Sequence, residues 1–365
     1  MLKALFVAAG MLGLAGCAGY HSIPPQTYSE AGDGIERIVF DQRGDPYPRS
    51  GGIDGPPIPP EMKRGGAFSV REYYELARIP YDREALIRGS AERIVAGMRA
   101  ANAQRIVVLI KGFNNSYQSN EEEYAKVRQW LADNGQLENV AFVQVYWDAI
   151  HRDTGTAPLP LAYFGESMTY SNLAGACGLR DLLTRLPAGT DLTFLTHSRG
   201  AAVALSALAD PLFDKNIDTA CLSQSQGAPQ PMGLGDVRLV AFAPAIGDGH
   251  LRDRNGAPRT DLFDIIDRIY SSVDRHDPAV TKSAWKFTLP DKLGGDTRFG
   301  GTPIYVEGID ALFAARGHRD DFAQVTFTQP THHWMRYLGE TGNARCLLWA
   351  GGVLRNQPTG CGLVR

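Results

Sequence analysis

The sequence lacks any strong excess of charge. Across 365 residues, 37 Lys and Arg stand against 40 Asp and Glu, a formal net charge of −3. No basic stripe and no long block of one sign is present, which argues against nucleic acid as a partner. There is no Cys-x-x-Cys pair and no His-Glu-x-x-His stretch, so nothing points to a zinc site. No internal repeat or low-complexity tract appears, which excludes a solenoid or a disordered array. Cysteine is scarce, with five in the chain.

What remains is ordinary globular material, 44% hydrophobic and 21% charged. That is enough to bury a full core, in one α/β domain with insertions or in two domains. The first segment reads as an address. Lys3 supplies a positive start, and the apolar run at residues 4–16 is too short to span a bilayer. Leu14-Ala15-Gly16-Cys17 then resembles a bacterial lipobox, in which the Cys17 thiol is acylated and residues 1–16 are removed as a signal peptide. Ala18, rather than Asp, follows the Cys. By resemblance to lipoprotein sorting signals this implies the outer membrane, with the domain facing the periplasm and the membrane as a partner through Cys17. Residues 17–65, rich in Gly and Pro, read as a lipid-anchored spacer or N-terminal arm with strand character only at 35–40, and residues 66–365 as the folded domain. In an exported chain the other four cysteines suggest disulfides, with three connectivities open. Cys346–Cys361 would close a short C-terminal loop, and Cys177–Cys221 would join segments flanking the central strand and helix.

A regular alternation runs through that domain. Helical spacing marks residues 83–101, 121–134 and 165–185, apolar strands are expected at 105–110, 140–147, 192–197, 237–243 and 265–273, and residues 322–328 alternate like an edge strand. Continuous apolar strands separated by helices predict a doubly wound, mostly parallel sheet with helices on both faces. Long loops fall at 149–163, 247–261 and 291–320, positions suited to lids or substrate walls.

The most informative stretch is Thr196-His197-Ser198-Arg199-Gly200, between an apolar strand and the Ala-rich run 201–205. Strand, sharp turn with a central Ser, then helix is the setting of a nucleophile elbow. Gly200 meets the demand for a small residue there; Thr196 is bulkier than the usual Gly. A Ser hydroxyl needs a base, an orienting acid and an oxyanion hole, and on this sheet the chain order is Ser, acid, His. Of the eight histidines, His318, His332 and His333 come late enough, and His318 sits in a hydrophilic stretch. His332, three residues before Met335, resembles the His-x-x-(Met/Tyr) pattern of lipases and related hydrolases and is the expected base, with His333 as competitor. Asp277, in a turn set by Pro278, is the expected acid, with Asp274 and Asp248 as alternatives.

The oxyanion hole would combine the N–H of Arg199 with that of Phe113, in the loop Lys111-Gly112-Phe113-Asn114-Asn115-Ser116. Gly-Phe-Asn-Asn-Ser after an apolar strand, paired with the Ser elbow, resembles a bacterial subgroup of α/β-hydrolases of poorly defined function whose loop begins His-Gly-Phe-Asn. Lys111 replaces that His. The resemblance spans about residues 105–338. It implies the α/β-hydrolase fold and serine-dependent cleavage of a small-molecule or lipid ester, with no cofactor and no metal. Two rivals stand: an amidase or peptidase using the same triad, and, favoured by Lys111 and Thr196, a non-catalytic hydrolase-fold lipoprotein that binds an envelope lipid or a protein.

Overall fold

The computed structural model describes residues 35–48, 69–135, 139–151, 161–209, 233–247, 250–251, 255, 257–277, 279–280, 313–315 and 321–361. Cys17 with the apolar run before it, Asp248, Cys221, His318 and most of the loops at 149–163 and 291–320 lie outside these residues.

Seven strands form one sheet: β1 (Ile35–Phe40), β2 (Arg105–Ile110), β3 (Val140–Trp147), β4 (Asp191–His197), β5 (Val237–Phe242), β6 (Arg268–Asp274) and β7 (Phe322–Phe327). Their spatial order is β1-β3-β2-β4-β5-β6-β7, and every neighbouring pair is parallel. The strands are runs of β-branched and aromatic residues whose side chains alternate between two cores. In β2, Ile106, Val108 and Ile110 enter one apolar cluster while Val107 and Leu109 enter the other.

Helices cover both faces. The first cluster is closed by α2 (Arg83–Ala100), by α5 (Arg180–Leu183) and by α6 (Gly200–Leu208). The second is closed by α1 (Val70–Ala77), α3 (Tyr117–Asn134), the start of α4 (Leu161–Leu173), α8 (Trp334–Gly339) and α9 (Thr341–Ala350). A single turn, α7 (Thr260–Phe263), precedes β6. No helix among the described residues is long and apolar enough to cross a membrane. The sheet and its two helical layers are the expected α/β-hydrolase architecture.

Several elements differ in extent from the sequence expectation. Helix α3 starts four residues early because Ser116 caps it, accepting the N–H of Ser119. The single helix expected at 165–185 is α4, then a π-helical turn at Ala174–Leu179, then α5. Small residues permit this: Gly175 lies against the Val203 carbonyl and Ser206 of α6, and Gly178 against Phe40. Strand β6 starts at Arg268 because Ile265 and Ile266 still bond back to Leu262, continuing the α7 turn. Helix α1 has no counterpart in the expected elements. Its start is tied to the end of β1 by Asp41, whose buried carboxylate accepts N–H groups from Arg43, Asp45 and Val70. Residues 35–40 of the expected arm thus form one edge strand of the sheet, opposite β7.

Cys346, on α9, is bonded to Cys361, 15 residues later. Cys177 is also disulfide-bonded, while its expected partner Cys221 lies outside the described residues. Closing a loop of this size lowers unfolded-chain entropy by the equivalent of about 3 kcal/mol. The double replacement Cys346→Ala/Cys361→Ala should therefore lower unfolding stability by about 2–4 kcal/mol in denaturant titrations without reductant.

Candidate active site

The site is assembled at the carboxyl ends of the parallel strands, where α/β sheets place their ligands. Ser198 follows β4 directly and has φ +55°, the left-handed region that a non-glycine residue enters only under constraint. The constraint comes from both sides. The Ser198 N–H donates to the Phe242 carbonyl at the end of β5 (2.9 Å), and its own carbonyl accepts from Ala245 (3.2 Å). The turn then runs at once into α6. Gly200 is packed so tightly under the end of β2 that a Cβ there would overlap the Ile110 carbonyl. Thr196, larger than the residue usual at this place, is accommodated fully buried within the strand.

The loop after β2 is pinned by side-chain hydrogen bonds to its backbone. The Lys111 N–H donates to the Tyr124 hydroxyl (2.8 Å), which in turn donates to the Val145 carbonyl (2.7 Å). The Lys111 carbonyl accepts from the Trp147 indole (2.7 Å). Asn115 donates to the carbonyls of Gly112 and Phe113, both at 2.9 Å. Asn114 takes a left-handed φ of 62° and donates its N–H to Ala149. Fixed in this way, Gly112 sits against the elbow. A Cβ on it would lie 2.8 Å from Ser198 Oγ and 2.9 Å from the Arg199 backbone nitrogen. The Lys111 side chain, nearly buried, forms an ion pair with Glu123 of α3.

Around Ser198 the chain brings together residues that the sequence keeps far apart. His332 Nε2 lies 2.7 Å from Ser198 Oγ, and His332 Nδ1 lies 2.7 Å from Asp277 Oδ2. The His332 side chain retains 24% exposure, whereas Asp277 is wholly buried. Asp277 also accepts from the Tyr337 hydroxyl at Oδ2 (2.6 Å) and from the Ala279 N–H at Oδ1 (2.8 Å). Burial alone would raise this carboxyl, but the hydrogen bonds and charge of His332, with those of Tyr337 and Ala279, outweigh it and hold the carboxyl below the usual range.

The competing residues are placed elsewhere. His333 is exposed at the start of α8, where its carbonyl accepts the Arg336 N–H. Asp274 is buried at the end of β6 and spends its oxygens on the N–H groups of His276 and Gln329, and burial raises its carboxyl. The Arg199 side chain is also fully buried, donating to Ser171, Asn172, Met168 and Ala245. Only its backbone faces Ser198. Phe113 is partly buried and packs edge-on against Phe164, with ring centroids 5.5 Å apart.

Tyr337 was not among the expected site residues. Its signal was in the sequence: it stands four residues after His333, one helical turn into α8, which points its side chain back over the His332 loop. Asp277 contributes stability while ionised, above the carboxylate range of the unfolded chain, and loses it as pH falls through its lowered folded value. Tyr337→Phe should accordingly cost about 2 kcal/mol near neutrality, measured by chemical unfolding. The deficit should shrink as the titration is repeated at acid pH.

Among the described residues no group of three or more His, Cys, Asp or Glu side chains is placed to hold a metal ion. Neither the curated proteins nor the solved structures contain a match to this chain. Residues 88–223 match the family model described as "Alpha/beta hydrolase of unknown function (DUF900)", a span that includes β2, the Gly112 loop, β4 and the Ser198 elbow. Taken with the seven-stranded parallel sheet, that similarity identifies the chain as having the α/β-hydrolase fold.

Proposed function

We propose that this protein is a serine hydrolase that cleaves carboxylic esters through an acyl-enzyme, tethered to the bacterial envelope by an acylated Cys17. The observation that carries the reading is the paired 2.7 Å spacing of His332 to Ser198 on one ring nitrogen and to Asp277 on the other. That spacing lies within the reach required for proton transfer without rearrangement.

In this mechanism Ser198 Oγ attacks the ester carbonyl carbon while its proton passes to His332 Nε2. Asp277 holds Nδ1–H, fixing the tautomer that leaves Nε2 free to accept, and it stabilises the imidazolium that forms. The tetrahedral oxyanion is met by the N–H groups of Arg199 and Phe113, each contributing on the order of 3 kcal/mol in a pre-set loop. His332 then returns the proton to the departing alkoxide, and water resolves the acyl-enzyme by the same steps in reverse. The exposed edge of His332 and the partly buried Phe113 ring leave the carbonyl an approach from solvent, while Asp277 and Tyr337 stay dry. The lipobox-like Leu14-Ala15-Gly16-Cys17 supports the tether and with it an outer-membrane position facing the periplasm.

Two measurements test this. A fluorophosphonate probe should label the purified protein, and Ser198→Ala should abolish the label; a folded wild-type protein that stays unlabelled would refute the proposal. On a panel of esters of graded chain length, Asp277→Asn should lower kcat by about 10⁴-fold. Amide substrates compared on the same panel should turn over more slowly than esters.

A further inference from the structure

We propose that His197 is a positioning residue, an aromatic brace that keeps the His332 imidazole in line between Ser198 and Asp277. This rests on His332 being the base of the reaction proposed above. His197 is the last residue of β4, immediately before Ser198, and is 4% exposed. Its ring centroid lies 4.9 Å from that of His332, with the planes inclined at 42°. On Trp334 it is stacked nearly parallel, 5.7 Å away at 12°. Trp334 is itself fully buried, edge-on to Tyr124 at 6.3 Å and tilted against Phe242 at 6.5 Å. Tyr124 holds the Lys111 N–H at the start of the loop that carries Gly112 and Phe113. The rings therefore form a continuous backing from the oxyanion loop to the inner face of His332, whose outer face meets solvent.

The chemistry of His197 does not suit a purely structural position. Neither ring nitrogen makes a full hydrogen bond, although the His332 carbonyl faces the ring. A buried polar group left so costs stability, and a phenyl ring of similar shape would avoid that cost. Burial, then the charges of His332, Lys111 and His333 around it, all oppose protonation of His197. The ring is thus a neutral aromatic surface. When His332 takes up the Ser198 proton, the new cation meets a neutral ring packed against it rather than a second cation. Removal of the ring would open space on the inner side of His332. The imidazole would then turn away from one partner or the other.

The test uses the full chain carrying His197→Phe, which keeps a ring without nitrogens, and His197→Leu, which removes it. Three quantities are read: the rate of fluorophosphonate labelling of Ser198, the low-field proton resonance of the His332 Nδ1–H held by Asp277, and the melting temperature. In His197→Leu the labelling rate should fall by about tenfold or more, since small misplacements of a base are costly, and the resonance should broaden or vanish. His197→Phe should keep the resonance and a labelling rate within about threefold of wild type, with a melting temperature equal or higher. Wild-type labelling and an unchanged resonance in His197→Leu would overturn the proposal, as would a loss in His197→Phe as large as in His197→Leu. Should His197→Leu not fold, His197→Asn, also ringless, takes its place with the same two readings. A wild-type protein that shows the resonance but never labels would instead sink the hydrolase reading, and the resonance in the variants would still decide the role of His197.

Discussion

Everything at the site depends on how closely the ends of β2 and β4 can approach. Gly200 packs under the Ile110 carbonyl and Gly112 packs over Ser198, so two residues without a Cβ allow a loop and an elbow to touch backbone to backbone. A methyl group at either place would force the strands apart or the turn out of shape. That contact holds Ser198 at its left-handed φ and sets the Arg199 nitrogen beside the Gly112 loop. The parallel register of β2 on β4, which pairs Ile110 with Thr196, brings the two glycines to the same level of the sheet.

The surrounding polar groups serve that contact by being satisfied. The Lys111 N–H and carbonyl bond to α3 and β3, the Asn115 side chain bonds within the loop, and the Asn114 N–H bonds to Ala149 just past β3. A loop held in this way loses little by way of reorganisation when charge develops beside it, the condition under which fixed dipoles are most effective. Asp277 follows the same logic. A carboxylate with no exposure is costly by itself, and three donors at 2.6–2.8 Å compensate for its burial. The His197 ring, with Thr196 Oγ1 and Trp334 Nε1 beside it, departs from this pattern, buried without full hydrogen bonding, and departures of that kind tend to collect where a protein acts.

Much of the fold could be read directly because its physics is local. Predominantly apolar runs at residues 105–110, 140–147 and 192–197 imply strands buried on both faces, and the sheet contains them with those bounds or within one residue. Boundaries slipped where a cap or a turn overrode the apolar pattern, as at Ser116 and at Ile265 with Ile266. The π-helical turn at Ala174–Leu179 left no periodic trace, since its small residues Gly175 and Gly178 answer to contacts with α6 and β1 that the local pattern does not carry.

By itself the sequence determined the alternation of strands and helices, the strand–Ser–helix turn, the glycine that lets it close, and the short set of acids and imidazoles that lie late enough in the chain. Those are properties of neighbouring residues, and propensity, chirality and Cβ sterics act over a few bonds. Only the tertiary structure decided which of the paired candidates faces Ser198. His332 rather than His333 meets it across 134 residues of chain, Asp277 rather than Asp274 meets that imidazole, and Tyr337, Trp334 and His197 close in behind them. Adjacent residues in a loop differ little in composition yet point in different directions, and the direction is set by packing against strands and helices encoded far away.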